Sequence, residues 1–165
     1  MDDRAMGAAV AAGAVALWLL TREGRELGTA AEAGGQAQAV DVLARTAWGE
    51  ARSEGAAGMQ AVLNVIMNRA RIGGWWGDDP VEVATKPWQF SAWNKNDPNR
   101  GRLLSVTTAD PKFREALALA ARAVAGTLPD ITGGATHYYA DYIAKPTWAA
   151  KMTKTATIGR HLFYV

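Results

Sequence analysis

The 165-residue sequence has no cysteine, two histidines, six prolines and no clustered stripe of lysine and arginine. Without cysteine there is no thiolate zinc site, no thiol nucleophile, no redox switch and no disulfide scaffold. Compartment stays open, because a cysteine-free chain carries no chemical penalty on either side of a membrane. The absence of a basic stripe argues against a nucleic-acid partner. A composition of 49% apolar and 21% charged residues excludes disorder and collagen-like repeats. The length excludes a large multidomain assembly and leaves one domain with a tail. The small net charge of +2 conceals an asymmetry, since residues 1–39 hold three arginines against five acids and residues 40–165 carry an excess of four positive charges. The body therefore suits an anionic polymer better than its average suggests.

A long, strongly apolar run is also missing. Ala5 to Leu20 is uncharged over sixteen residues, but seven are Ala and two are Gly. As a helix it spans about 24 Å, short of the roughly 30 Å hydrocarbon core, so it is a marginal membrane span. A cleaved signal fits poorly, because Asp2, Asp3 and Arg4 replace the basic n-region and the small-residue sites lie far downstream. A soluble helix packed on the domain is the third reading, against which stands the lack of a polar face. Thr21 to Gln38 reads as a solvated helix fading into a linker, which places the domain boundary at 38/39.

What is present begins at Ala39. Val40, Leu43, Ala44 and Ala47 recur at helical spacing and predict an amphipathic helix ending near Glu50. Ser53 is expected to cap a second, core helix bearing Met59, Val62, Leu63, Ile66, Met67 and Ala70, which stops at Gly73-Gly74. Residues 73–111 have turns, four tryptophans and little periodicity beyond Val81–Ala84. Such a long irregular stretch is usually functional, and it is expected to form one wall of a cleft. Pro111 to Ala125 predicts a helix with Phe113, Leu117, Ala120, Ala121 and Val124 inward. Residues 135–140 and 155–165, with Gly159 inside, predict two or three short strands. The fold class is α+β, helix-rich first, with a small antiparallel sheet from the C-terminal third.

Glu50 is the candidate for chemistry. A carboxyl at an apolar helix end beside Trp48 is partly withheld from water, the setting in which carboxyls serve as general acids. Read from residues alone, a surface glutamate is the competing account. Glu54 is explained as a first-turn acid of the second helix. Sugar rings stack their C–H faces on flat apolar surfaces while their hydroxyls seek amides and hydroxyls. Gln89, Phe90, Ser91 and Trp93 offer that mixture, as do His137, Tyr138 and Tyr139 on a strand. Alternation sends His137 and Tyr139 to one face and Tyr138 to the other, so the three do not share a groove. Trp75, Trp76, Trp88 and Trp148 are further stacking candidates, each also explicable as packing.

Five motifs in order carry a family resemblance. They are Gly49-Glu50-Ala51 with Gly58-Met59-Gln60-Ala61-Val62 running into Asn68-Arg69, then Gln89-Phe90-Ser91-x-Trp93, Gly134-Ala135-Thr136-His137-Tyr138, Pro146-x-Trp148-Ala149, and Ile158-Gly159-x-His161-x-Phe163-Tyr164. Over residues 40–165 the chain resembles the SleB-type cell wall hydrolases, which include spore-cortex-lytic enzymes. The resemblance implies a lysozyme-like fold and a lytic transglycosylase. In it the glutamate matching Glu50 acts alone as acid and base on the MurNAc–GlcNAc bond, and the sugar's C6 hydroxyl closes onto C1. It implies peptidoglycan glycan strands as partner, a monomer, and no cofactor or metal. Glu54, Trp148 and His161 are secondary site candidates.

Alternatives remain at this level. Asp78, Asp79 and Asp97 keep a water-using muramidase open, although each reads as a turn residue. His137, His161 and an acid would serve a zinc amidase, against which stand the missing third histidine and the absence of a His-Glu-x-x-His helix. His161 reads as a satisfied structural histidine and His137 as an active-site hydrogen bonder. A wall-binding module without catalysis is the non-enzymatic reading. The leader ahead of such a domain resembles the signal-anchor-release segments of phage endolysins. It implies inner-membrane tethering followed by action on the periplasmic, wall-facing side.

Overall fold

The computed structural model describes residues 28–165, so the expectations for Ala5–Leu20 lie outside the described residues. Among the described residues no helix is long and apolar enough to cross a membrane. The chain divides after Ala37, and the unit Gln38–Val165 carries the core, the sheet and the site.

Among the described residues helix α1 runs over 28–51, with 28–38 exposed. Of the stretch read as a solvated helix fading into a linker, the described part, 28–38, is exposed helix. Ala, Glu and Gln are strong enough helix formers to offset Gly34 and Gly35, which cost about 1 kcal/mol each. From residue 43 onward α1 turns Leu43, Ala44, Ala47, Trp48 and Ala51 into the core. A one-turn 3₁₀ helix, Arg52–Glu54, then leads to α2, Gly55–Ile72. Ser53 does not cap α2. The N-cap position is Glu54, without a side-chain cap bond, because the 3₁₀ turn has shifted the helix start past the serine.

Helix α2 is buried on two sides. Met59, Val62, Leu63 and Ile66 pack with α1 and with α5, Pro111–Val124. On the opposite face Ala61 and Val65 pack against Ala135 and Phe163 of the sheet region. Each fully buried aliphatic side chain of this kind contributes roughly 1.5–3 kcal/mol. In α5 the inward set is Phe113, Ala116, Leu119, Ala120 and Ala123, whereas Ala121 is exposed. With alanine at both candidate positions, periodicity carries too little contrast to fix the helix's rotation.

The middle segment holds two short helices, α3 (Pro80–Thr85) and α4 (Arg100–Ser105), and one-turn helices Gly74–Trp76 and Ser91–Trp93. Six-residue helices are too short to display a 3.6-residue period, so a run without periodicity concealed them. Asp79 caps α3 by accepting from Val81 N and Glu82 N, with Pro80 in the first turn.

The C-terminal strands are β1 (His137–Ala140), β2 (Lys154–Ile158) and β3 (His161–Tyr164), antiparallel in the order β1-β3-β2. Tyr138 faces Phe163 in register and Ala140 faces His161. Gly159, at φ +56°, makes the tight turn between β2 and β3.

Candidate active site

Glu50 lies in the last turn of α1, and donors from two other elements converge on it. Its Oε1 accepts from Ala92 N at 3.0 Å and from Ser91 Oγ at 3.3 Å. Its Oε2 accepts from the Tyr138 hydroxyl at 3.1 Å. The helix end, the Ser91–Trp93 turn and strand β1 therefore meet at one carboxylate.

Each of the three is held in place for a local reason. Gly49 brings the turn close: a Cβ built there would lie 2.8 Å from Ala92 Cβ and 2.9 Å from a Leu103 methyl. Trp93 fastens the turn from behind by donating its indole N–H to the buried Thr46 hydroxyl at 2.8 Å. Strand β1 is aimed from α2. Asn64 accepts from Ile131 N at 3.1 Å, and Asn68 donates to Ala135 O and to Asp130, each at 3.1 Å. Asp130 also accepts from Thr132 N and Oγ1 and from Gly134 N. Although burial alone pushes the Asp130 carboxyl up, the bonds from Thr132, Asn68 and Gly134 hold it below its ordinary value.

Arg69 supplies the buried charge of the site. Its Nε donates to Thr136 O at 2.8 Å and an Nη donates to Gln89 Oε1 at 3.1 Å. The guanidinium stacks over Trp76 at 4.3 Å and over Phe90 at 5.2 Å. Desolvation pushes it down to about 10, while Tyr138 and Glu50 pull the other way, so it stays protonated at neutral pH. Burial first, and then the Glu50 charge, push the Tyr138 phenol well above its ordinary range. Tyr138 is consequently a neutral hydroxyl donor to the carboxylate.

The predicted site residues separate into groups. Ser91 and Tyr138 touch Glu50 directly. Gln89 bridges Arg69 and Trp76 O, the latter at 2.6 Å, and so braces the wall. Phe90 is 1% exposed and belongs to the core under Arg69, which corrects the expectation that its ring meets substrate. Trp93 is half-buried, with one end anchored on Thr46. His137 and Tyr139 point away from Tyr138, as strand alternation requires. His137 lies between Trp76 and Trp148, at 5.2 and 5.0 Å between rings, and its Nδ1 pairs with Thr136 Oγ1. Tyr139 meets Trp148 at 5.8 Å and Tyr164 at 5.7 Å. Trp75 extends this row of rings through Trp76 and is well exposed.

Glu54 serves the fold. Its Oε2 accepts from Arg160 N at 2.9 Å in the β2–β3 turn, and it fills the space left free at Gly58 and Gly159. It is therefore a strut between two elements, where the sequence suggested a dipole partner for α2. His161 is buried against Tyr138, at 5.2 Å between rings, and its Nδ1 has no partner, so it is not the satisfied histidine expected. Asp78, Asp79 and Asp97 accept from backbone amides of their own turns. Among the described residues no three His, Asp or Glu side chains are grouped to hold a metal.

Arg69, Asn64, Asn68 and Asp130 carry more of the site than the sequence reading assigned to them. The signal was available: two asparagines and an arginine at positions 64, 68 and 69 fall among the apolar positions of a core helix. Buried polar side chains there require partners.

Residues 53–164 match the cell wall hydrolase family. Two solved structures are similar over 76% of this chain. One is the catalytic domain of the Bacillus cereus SleB protein, at 25% identity, TM-score 0.61 and 88% of that chain. The other is the catalytic domain of the germination-specific lytic transglycosylase SleB from Bacillus anthracis, at 25% identity, TM-score 0.60 and 93% of that chain. No curated protein matches.

Proposed function

This chain belongs to the cell wall hydrolase family and is an enzyme that degrades peptidoglycan; we propose that it does so as a lytic transglycosylase with Glu50 as its single acid and base. The bond is the one joining C1 of N-acetylmuramic acid to O4 of N-acetylglucosamine. Protonated Glu50 gives its proton to the bridging oxygen, the C1–O bond breaks, and charge develops on the muramic ring. The carboxylate then takes the proton of that ring's C6 hydroxyl as O6 bonds to C1. A 1,6-anhydro end and a free 4-hydroxyl result, Glu50 returns to its protonated form, and no water is consumed.

The observation that carries this reading is the set of partners around Glu50. They are two hydroxyls and a backbone amide, which together fix both oxygens of a single carboxylate. A hydrolase of the two-carboxylate kind needs its partner acid across the bond, roughly 5–9.5 Å away. The acid next along the chain, Glu54, is committed to Arg160 N. The fixed donors orient both carboxylate oxygens, so that proton delivery and removal use one geometry. Gln89, Ser91 and Trp93 on one side, and the ring row of Trp76, His137 and Trp148 on the other, are the surfaces on which the strand would lie.

Glu50→Gln removes the transferable proton while keeping the hydrogen-bonding shape. Its release of muropeptides from purified peptidoglycan is expected to fall by at least ~10²-fold, within the range for loss of a general acid. Parental rates would overturn the assignment. Product analysis of the parent enzyme tests the second half of the proposal: anhydro-muramic ends are expected, whereas reducing ends would mean hydrolysis.

A further inference from the structure

Beside the turn that bonds Glu50 lies a cavity of about 700 Å³, which shares Trp93 with the proposed glycan surface and otherwise takes no part in the proposed chemistry. Its volume falls within the roughly 300–1,000 Å³ typical of small-ligand sites. Trp88, Trp93, Asn94, Lys95, Asn96 and Arg100 are among its lining residues. The Ser91–Trp93 turn is common ground, since Ser91 and Ala92 address Glu50 while Trp93 lines the cavity.

Trp88 points to a use for the space. It is the non-glycine residue that adopts positive φ among those described, at +70°, and it is 87% exposed. A bulky side chain in left-handed backbone is strained, and strain of this kind concentrates at ligand clamps. The strain does not serve packing, because the indole is almost entirely in solvent. Asn94 supports the conformation by accepting from Trp88 N at 3.4 Å. The exposed indole of Trp88, the half-buried indole of Trp93 and the side-chain amides of Asn94 and Asn96 thus line one cavity.

We infer that this cavity is a sugar subsite, in which Trp88 and Trp93 stack on an N-acetylhexosamine of the same glycan strand whose cleavage is assigned to Glu50. The inference rests on that reading of the substrate. Flat apolar faces match the C–H faces of a pyranose ring, and the amides of Asn94 and Asn96 suit its hydroxyl and acetamido groups. Lys95 and Arg100 would also accept an acidic stem peptide, and the test separates the two occupants.

Binding is measured without turnover, using Glu50→Gln with and without Trp88→Ala and glycan strands stripped of their stem peptides as the probe. Because Trp88 is exposed, its removal leaves the core intact, which circular dichroism checks. The double variant is expected to bind stripped strands about tenfold more weakly than Glu50→Gln alone, with Lys95→Ala having little effect. Equal affinity of the two proteins would overturn the subsite. Binding that requires the stem peptides and is lost in Lys95→Ala would overturn the sugar as occupant. Neither outcome depends on whether Glu50→Gln abolishes cleavage, so failure of the subsite and failure of the catalytic assignment are read separately.

Discussion

The end of α1 and the 3₁₀ turn that follows it each present a glutamate, four residues apart, and the molecule uses them in opposite ways. Glu50 receives donors from the Ser91–Trp93 turn and from β1, so that two segments distant in sequence converge on one carboxylate. Glu54 receives the Arg160 amide and is wedged between glycines at 58 and 159. Continuous helix would have placed the two carboxylates on one face. The 3₁₀ turn rotates the second toward the β2–β3 turn instead. The lesson is that the break after Ala51 separates the carboxylate proposed to do the chemistry from one that ties two elements together.

After Glu50→Gln, the largest effect on this contrast is expected from Gly49→Ala. The added methyl meets Ala92 and Leu103 well inside normal contact, so the Ser91–Trp93 turn must retreat and take its two donors with it. Misplacement of a catalytic constellation by about 1 Å costs on the order of 10²-fold. A fall of that size in muropeptide release, with a circular dichroism spectrum like the parent's, is the expected result. Retained activity would mean that the donors from this turn are dispensable.

Tyr138→Phe probes the other donor. The ring still stacks on Phe163, at 5.5 Å, so packing is retained and only the hydroxyl is lost. Leaving Glu50 Oε2 short of one bond is expected to cost about 1–2 kcal/mol of transition-state stabilisation, roughly five- to thirtyfold in kcat. A change confined to KM would move Tyr138 from orienting the carboxylate to contacting sugar.

These effects depend on distances between segments far apart in sequence, which explains what could be read beforehand. The helices of the core, the strands, and Glu50 at a helix end were legible because periodicity and β-branched or aromatic runs act locally. Phe90 was misjudged for the opposite reason. Beside Gln89 and Ser91 in a polar-aromatic string it looks like a sugar platform, and only the position of Arg69, twenty-one residues earlier, shows that it is buried. The roles of Asn64, Asn68 and Asp130 are likewise invisible in any short window, because they bond across more than sixty residues. The tie from Glu54 to Arg160 spans 106.

The smallest expected effect lies at the boundary between the two carboxylates, at His161. Burial lowers its affinity for a proton, while Glu54, Glu50 and Asp141 pull the other way without cancelling the desolvation. Its folded pKa is thus below the ordinary value of 6.5, so the unfolded chain protonates first as pH falls. Stability from this group is full above about pH 6.5, declines as pH drops below it, and levels off once the folded histidine is also protonated. His137 is lowered by burial and by Arg69, and acts in the same direction. Asp130 acts in a separate, more acidic window, since its folded value lies below 3.8. Urea midpoints measured from pH 7.5 to 5 should therefore fall in the parent and fall less steeply in His161→Phe. If the two slopes coincide, His161 takes up its proton as readily in the fold as outside it, and the sheet side of the site is wetter than its packing implies.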